Sequence, residues 1–297
     1  MMSSGEIVKQ IRLSKGLKAK YVYKDLMTQS TSSRYERGKE EIKIAKLLVI
    51  IARLNLDFSE FIYLFKAENE EFKLFEKYHQ RLLKAFKKGE IMELELINQN
   101  AINLYQFNHL TCFNHLAQLA SCMTKKISKK QKDFTVEKKI IIDYLLKTPS
   151  WSKYEYQLFD EALFMFTEDD IKRLLNSDRW ENFYNKENDF ILARTKVQLL
   201  AHVIVLLIKD DHFSTADTCL MLLNQVEIAA TDIWSKCYKS FIVGVNMVKD
   251  GDLKQGAKII SETLTSCEEF KLFQLNKELM YNLKICLDEG LVGANSN

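Results

Sequence analysis

The sequence is poor in chain-breaking residues: Pro149 is its one proline, and nine glycines are spread over 297 residues. Sheet proteins turn often and draw on these residues to do so, so their scarcity excludes a fold of many short strands and predicts an all-α chain. No Cys-x-x-Cys pair occurs. The cysteines at 112, 122, 219, 237, 267 and 286 each sit in an apolar helical stretch without histidines at zinc-ligand spacing. That pattern argues against a metal or disulfide framework and for buried free thiols in a reducing compartment, with no cofactor implied. Also missing are Gly-x-Gly-x-x-Gly, a P-loop, His-Glu-x-x-His and a Gly-x-Ser-x-Gly elbow. His79, His109, His115, His202 and His212 are scattered, and no enzyme is expected. The most apolar stretch, Val197 to Ile208, is interrupted by Gln198 and His202 and is shorter than the roughly 18 residues a membrane span needs. With no secretory h-region at the N-terminus, the expectation is a cytoplasmic protein without membrane contact.

What is present is a folded chain, with 47% hydrophobic and 28% charged residues, too apolar for disorder. Charge is unevenly placed. Residues 1–66 hold 13 Lys/Arg and 7 Asp/Glu, a net of +6, whereas the remainder holds 30 and 33, a net of −3. A basic head on a mildly acidic body suits a protein of which only the head approaches a polyanion.

Apolar residues recur at helical spacing almost throughout. The pattern predicts short helices at about 5–14, 18–26, 29–37, 44–54 and 58–67, then longer ones from residue 70 to 288. Ser150, Thr167 and Thr231 read as helix-starting caps, and Thr135 opens another helix with Glu137 in its first turn. The charged segment Lys66–Glu71 marks the expected boundary between a 1–66 domain and a 67–297 domain. Beyond it, helix pairs of about 35 to 42 residues succeed one another, as in a helical-repeat solenoid, although a plain bundle gives a similar pattern. Phe213 to Ala216 and Leu253 to Ala257 occupy equivalent places in two such pairs, and their small residues let helices approach closely.

The informative stretch runs from Gly5 to Gly38 and reads as three short helices. Gly16 supplies the turn after the first helix, Leu17, Val22 and Leu26 fill the core, and Thr28 caps the third helix. Thr28 to Ser33 are six consecutive polar residues, offering hydroxyl and amide groups of the kind that meet base edges and phosphates in a duplex groove.

Arg12, Gly16-Leu17, Ser33-Arg34-Tyr35-Glu36-Arg37-Gly38, Ile42-Lys43-Ile44 and Leu54 through Phe61 resemble the N-terminal domain of Rgg/MutR-type transcription regulators, within the wider repressor-like helix-turn-helix group. Trp151 through Phe159, Gly244 and Asp250 through Gly256 resemble that family's helical C-terminal domain, so the likeness spans nearly the whole chain. It implies a sequence-specific DNA-binding regulator acting as a homodimer, with TPR-like repeats and control by a short signalling peptide. Base reading would fall on Gln29, Ser30 and Thr31, with Arg34 one turn along the same face, taking either a guanine or a phosphate. Ser33, Lys18 and Lys20 would face phosphates. Arg12 and Glu36 would form a structural ion pair between the first and third helices. The chain departs from the family at Lys18-Ala19, usually Thr-Gln, at Tyr23, usually a small residue, and at His202, often an amide.

In the body, aromatic residues alternate with polar ones around Trp180–Tyr184 and Trp234–Lys239. Arg194, Gln198 and His202 fall on one helical stripe, and Lys239 and Asn246 on another. Such stripes can hold the backbone of an extended peptide while apolar pockets hold its side chains. Two rival readings stand: a repeat adaptor whose basic head binds another protein, and a regulator of the same fold that senses a small molecule or no ligand.

Overall fold

A computed structural model of the chain describes residues 2–128, 133–175 and 190–288, and all the regular structure among them is helical. The chain divides into two compact units, residues 1–90 and 91–297.

The first unit comprises α1 (Ser4–Ser14), α2 (Ala19–Val22), α3 (Gln29–Tyr35), α4 (Ile44–Arg53), α5 (Phe58–Glu68), a 3-10 turn at Glu70–Lys73 and α6 (Leu74–Lys88). Residue 66, where the sequence changes character, lies within α5, and the compact unit runs on through α6. Local chemistry explains where the elements begin. Ser3 and Glu6 form a reciprocal capping box at α1, as Asp57 and Glu60 do at α5, satisfying amides that helix ends leave without partners. Thr28 caps α3 as expected, its hydroxyl accepting from the Thr31 amide at 3.2 Å. The second helix is much shorter than its 18–26 pattern. It ends at Val22, and the chain turns through Asp25 at φ 60° while Arg53 of α4 donates to the carbonyls of Val22 and Lys24. Ile7, Val8, Ile11, Val22, Tyr35, Ile50, Leu54 and Phe61 make the core, with Leu17 and Leu26 packed against it. Gly5 is required where α1 crosses α3, because a Cβ there would lie 1.9 Å from the Tyr35 carbonyl oxygen.

The second unit comprises α7 (Ile91–Asn108), α8 (Thr111–Ser128), α9 (Thr135–Lys147), α10 (Lys153–Ala162), α11 (Glu168–Leu175), α12 (Phe190–Lys209), α13 (Phe213–Gln225), α14 (Ile233–Lys249), α15 (Leu253–Glu269) and α16 (Phe273–Asp288). Three connections, α12 to α13, α14 to α15 and α15 to α16, repeat one turn: a left-handed residue at Asp211, Gly251 or Lys271, followed by an amide bonding back to the carbonyl five residues earlier (His212 to Leu207, Asp252 to Met247, Leu272 to Cys267). This closes the helix end and reverses the chain, so α12 pairs with α13 and α14 with α15 as helical repeats. Gly256 and Gly244 carry the closest approach. A Cβ on Gly256 would sit 2.6 Å from the Gly244 carbonyl oxygen. The equivalent position in α13 is the fully buried Ala216, while Ala257 is exposed.

Two caps differ from the sequence pattern. Ser152 and Asp232, rather than Ser150 and Thr231, accept the first amides of α10 and α14, because Pro149 and Trp151 delay the start of α10 and Asp232 is the acceptor nearer the first turn. At α9 the Asp133 carboxylate accepts from the Thr135 amide. Trp151 is wholly buried against Tyr156 and Phe159, its indole N–H donating to the Leu145 carbonyl at 3.1 Å. All six cysteines are free thiols, and five are buried while Cys112 is half-buried.

Candidate functional site

In the first unit, α3 is held from behind. The Arg12 guanidinium of α1 makes two bonds to Glu36 just past α3, Nε to Oε1 at 2.7 Å and Nη2 to Oε2 at 2.8 Å, and Nη1 donates to the Leu17 carbonyl at 2.8 Å. The expected ion pair is therefore present, and both side chains are about nine-tenths covered, at 11% and 10% exposure. Tyr23, the departure from the family pattern, completes it by donating its hydroxyl to Glu36 Oε1 at 2.7 Å. Burial pushes the Glu36 carboxyl up, but the bonds from Arg12 and Tyr23 outweigh burial and hold it below its ordinary value. Burial and the neighbouring carboxylate raise the Tyr23 phenol. A bidentate, always-charged cation on a buried acid fixes orientation, and removing either partner strands the other.

The outer side of α3 is free of such ties. Gln29, Ser30, Ser33 and Arg34 are exposed and Thr31 is half-buried, with its hydroxyl accepting from Thr28. Ser30, Ser33 and Arg34 follow helical spacing along one face. Ser32 differs from the rest of the polar run: it is turned inward at 5% exposure, its hydroxyl donating to the Gln29 carbonyl. Arg34 makes one surface ion pair, at 3.3 Å to Glu40, and keeps 58% of its side chain exposed. Lys18, the residue before α2, and Lys20 in its first turn are both exposed.

In the second unit, the structure brings Arg194, Gln198 and His202 of α12 onto one face, among groups the sequence reading did not include. Gln198 Nε2 donates to Asp160 Oδ2 of α10 at 2.9 Å. His202 Nδ1 lies 2.6 Å from Asp160 Oδ1, and Nε2 lies 3.0 Å from Glu278 Oε1 of α16. The Tyr238 hydroxyl donates to that same Glu278 oxygen at 2.7 Å and accepts from Asn282 Nδ2 at 3.1 Å. Burial pulls the His202 imidazole down, but the two carboxylates outweigh it and raise it from 6.5 to about 10. The Arg194 guanidinium stands 4.3 Å over the Trp234 ring, an arrangement that leaves its N–H groups available around the rim.

Lys239 and Asn246 do not join this cluster. Lys239 lines a separate open groove of about 710 Å³, with Lys236 and Ser240 of α14, Ile259 and Glu262 of α15 and Val226, and donates to the Asn224 carbonyl at 3.0 Å. Asn246 is 7% exposed and ties α14 to α13 through Asp217 at 3.2 Å. Their spacing put them on one side of α14, but α13 packs over the end carrying Asn246. Trp180–Tyr184 lie outside the described residues. Of the unforeseen groups, Glu278 and Asn282 had one legible signal: they sit at or beside the positions of a stripe formed by Leu275, Leu279 and Cys286, where an apolar residue is expected. Asp160 had none.

These two units define the class: a helix-turn-helix head followed by a helical-repeat domain. A family model described as the C-terminal domain of the HTH-type transcriptional regulator Rgg matches residues 93–280. The chain belongs to this Rgg family of transcription regulators. It is similar in structure to a protein from Listeria monocytogenes EGD-e assigned as a transcriptional regulator, with a TM-score of 0.78 at 19% identity over 97% of this chain and 98% of that one. It is likewise similar to the SHP pheromone receptor Rgg2 of Streptococcus dysgalactiae, with a TM-score of 0.75 at 16% identity over 95% and 99%. PrgX, in its complex with cCF10, matches with a TM-score of 0.74 at 12% identity over 96% and 92%. Among the described residues, no helix is long and apolar enough to cross a membrane.

Proposed function

We propose that the chain is a homodimeric, sequence-specific DNA-binding regulator whose head reads a duplex and whose repeat domain receives a short peptide. The observation that carries the DNA half is the face of α3: a row of exposed polar side chains, Gln29, Ser30, Ser33 and Arg34, standing on a helix clamped from behind by Arg12 and Glu36. Rigid positioning with free polar groups is what base reading demands, since the donor and acceptor pattern of the major groove is met only in one register. Thr31 lies beside this row, and Lys18 and Lys20 add cations suited to phosphates. Two heads about 34 Å apart would read half-sites one helical turn from each other. The residues up to about 66 supply the DNA-reading elements, and those beyond supply sensing and dimerisation.

The peptide half is supported by what the structural relatives bind, a pheromone receptor and a bacterial peptide pheromone/receptor complex among them, and by the Arg194–Gln198–His202 stripe. A peptide held there acts as a population shift between settings of the repeats, not as catalysis. A gel-shift series over increasing salt tests the regulator reading: sequence-selective binding that weakens with salt supports it. No binding even at low salt removes it in favour of an adaptor whose head binds protein. Mass spectrometry of material co-purified from the native host separates peptide, small molecule and no ligand.

A further inference from the structure

Glu278 occupies a position built for a carboxylate. Carboxylate oxygens accept hydrogen bonds and do not donate them, so a ring flanked by Asp160 at 2.6 Å and Glu278 at 3.0 Å carries N–H on both nitrogens and is an imidazolium. Its Nε2–H and the Tyr238 O–H converge on one oxygen of Glu278, and Asn282, donating to the Tyr238 oxygen, turns the phenol proton toward the acid. The two acids are not equivalent. Asp160 is 11% exposed, whereas Glu278 is 37% exposed. Asp160 is thus the fixed counter-ion that keeps the imidazole charged, and Glu278 is the exchangeable one. Gln198 and the exposed Arg194 lie on the same face of α12 as His202.

We infer that the His202–Tyr238 donor pair is a carboxylate receptor for the ligand, that Glu278 is its internal occupant in the unliganded protein, and that a ligand carrying a free carboxylate binds by displacing it. The inference rests on the reading of this face as the ligand surface and deepens it in two ways. It selects ligands ending in a free acid over amidated or esterified ones. It also makes displacement the event that removes the Glu278 bonds from α16 to α12 and α14, leaving the Asn282–Tyr238 bond in place. Charge-assisted bonds of this kind are short and directional, so exchange of one carboxylate for another costs little, while exchange for a neutral amide loses much of the interaction.

The test uses full-length protein with acetate as the probe. Glu278→Gln keeps the shape but weakens the internal acceptor, so acetate at constant ionic strength is expected to shift the His202 ring NMR signals of this variant at a concentration at least tenfold below that needed for the wild type. Acetamide and chloride are expected to have no such effect. Tyr238→Phe combined with Glu278→Gln is expected to abolish the advantage. If acetate acts on Glu278→Gln no more strongly than chloride or acetamide, the receptor is wrong. Should Glu278→Gln prove too close to the wild type to read, Glu278→Ala supplies the same comparison through recovery of its lowered melting temperature by acetate. A second arm offers a synthetic octapeptide pool with free-acid or amide ends. Retention of free-acid peptides, strengthened about tenfold by Glu278→Gln, supports the inference. Equal retention of both ends overturns the carboxylate receptor while leaving the peptide reading intact. Acetate binding with no peptide retained supports the receptor and removes the peptide reading instead.

Discussion

In the first unit the Arg12 guanidinium lies against Glu36 with Tyr23 donating to the same acid, and the two charged side chains are 11% and 10% exposed. In the second, the His202 imidazole lies against Glu278 with Tyr238 donating to the same acid, and those side chains are 29% and 37% exposed. The two clusters share one plan, a cation and a phenol converging on a carboxylate, and differ in cation and cover. Arginine stays charged at any working pH and grips two oxygens at once, which suits a brace. The imidazolium instead presents one N–H to each of two acids, so one of them can be exchanged while the other stays. The first is sealed from solvent and the second is partly open to it, so the same chemistry is braced in the head and, under the proposal above, exchangeable in the body.

The comparison can be broken by substitution. Glu36→Ala has the largest expected effect, since it strands a buried guanidinium: about 3–5 kcal/mol of head stability lost, seen as a lower denaturant midpoint and loss of DNA binding together. A loss no greater than that of Glu278→Ala would erase the distinction between brace and contact. Next come the two phenols. Tyr23→Phe removes a bond to a buried charged acid and should cost about 1.5–3 kcal/mol, whereas Tyr238→Phe, beside a partly solvated acid, should cost about 1 kcal/mol, both measured by urea unfolding.

His202 adds a pH dependence that Arg12 does not. Its folded-state value, about 10, lies above the ordinary 6.5, so its contribution is complete below pH 6.5 and declines as pH rises from there through 10. His202→Gln should remove that component, and the wild-type and variant melting temperatures should differ most at about pH 6.5 and converge toward pH 10. Constant separation across that window would show that the imidazolium does not supply the stabilisation. The smallest stability effect is expected of Arg34→Ala, within about 0.5 kcal/mol because its ion pair is a surface one. Its effect on DNA is separate: about 1–3 kcal/mol at one base position if it reads guanine, or uniform weakening across sequences with a shallower salt dependence if it grips phosphate.

Much of this was legible along the chain because the forces involved are local. Helical periodicity, the Thr28 cap and the turn at Gly16 depend on neighbours within a few residues, and the Arg12–Glu36 pair could be expected from the head motif. The shortness of α2 was not legible, because Arg53, some thirty residues on, claims the carbonyls at its end. Nor was the inward turn of Ser32, which one face of packing imposes on a run that is polar throughout. The proposed ligand face was half legible: Arg194, Gln198 and His202 share a face by the arithmetic of 3.6 residues per turn. The same arithmetic grouped Lys239 with Asn246, and failed because it cannot say which neighbouring helix covers which end.

By itself, the sequence determined that this protein is all-helical, with a basic head of short helices and a run of paired helices after it, since period, capping and scarce turn residues act over short distances. Only the tertiary structure decided which polar side chains became a buried brace and which a more exposed contact. Asp160 and Glu278 stand 42 and 76 residues from His202, and the charge state of a histidine depends on what surrounds its ring in space.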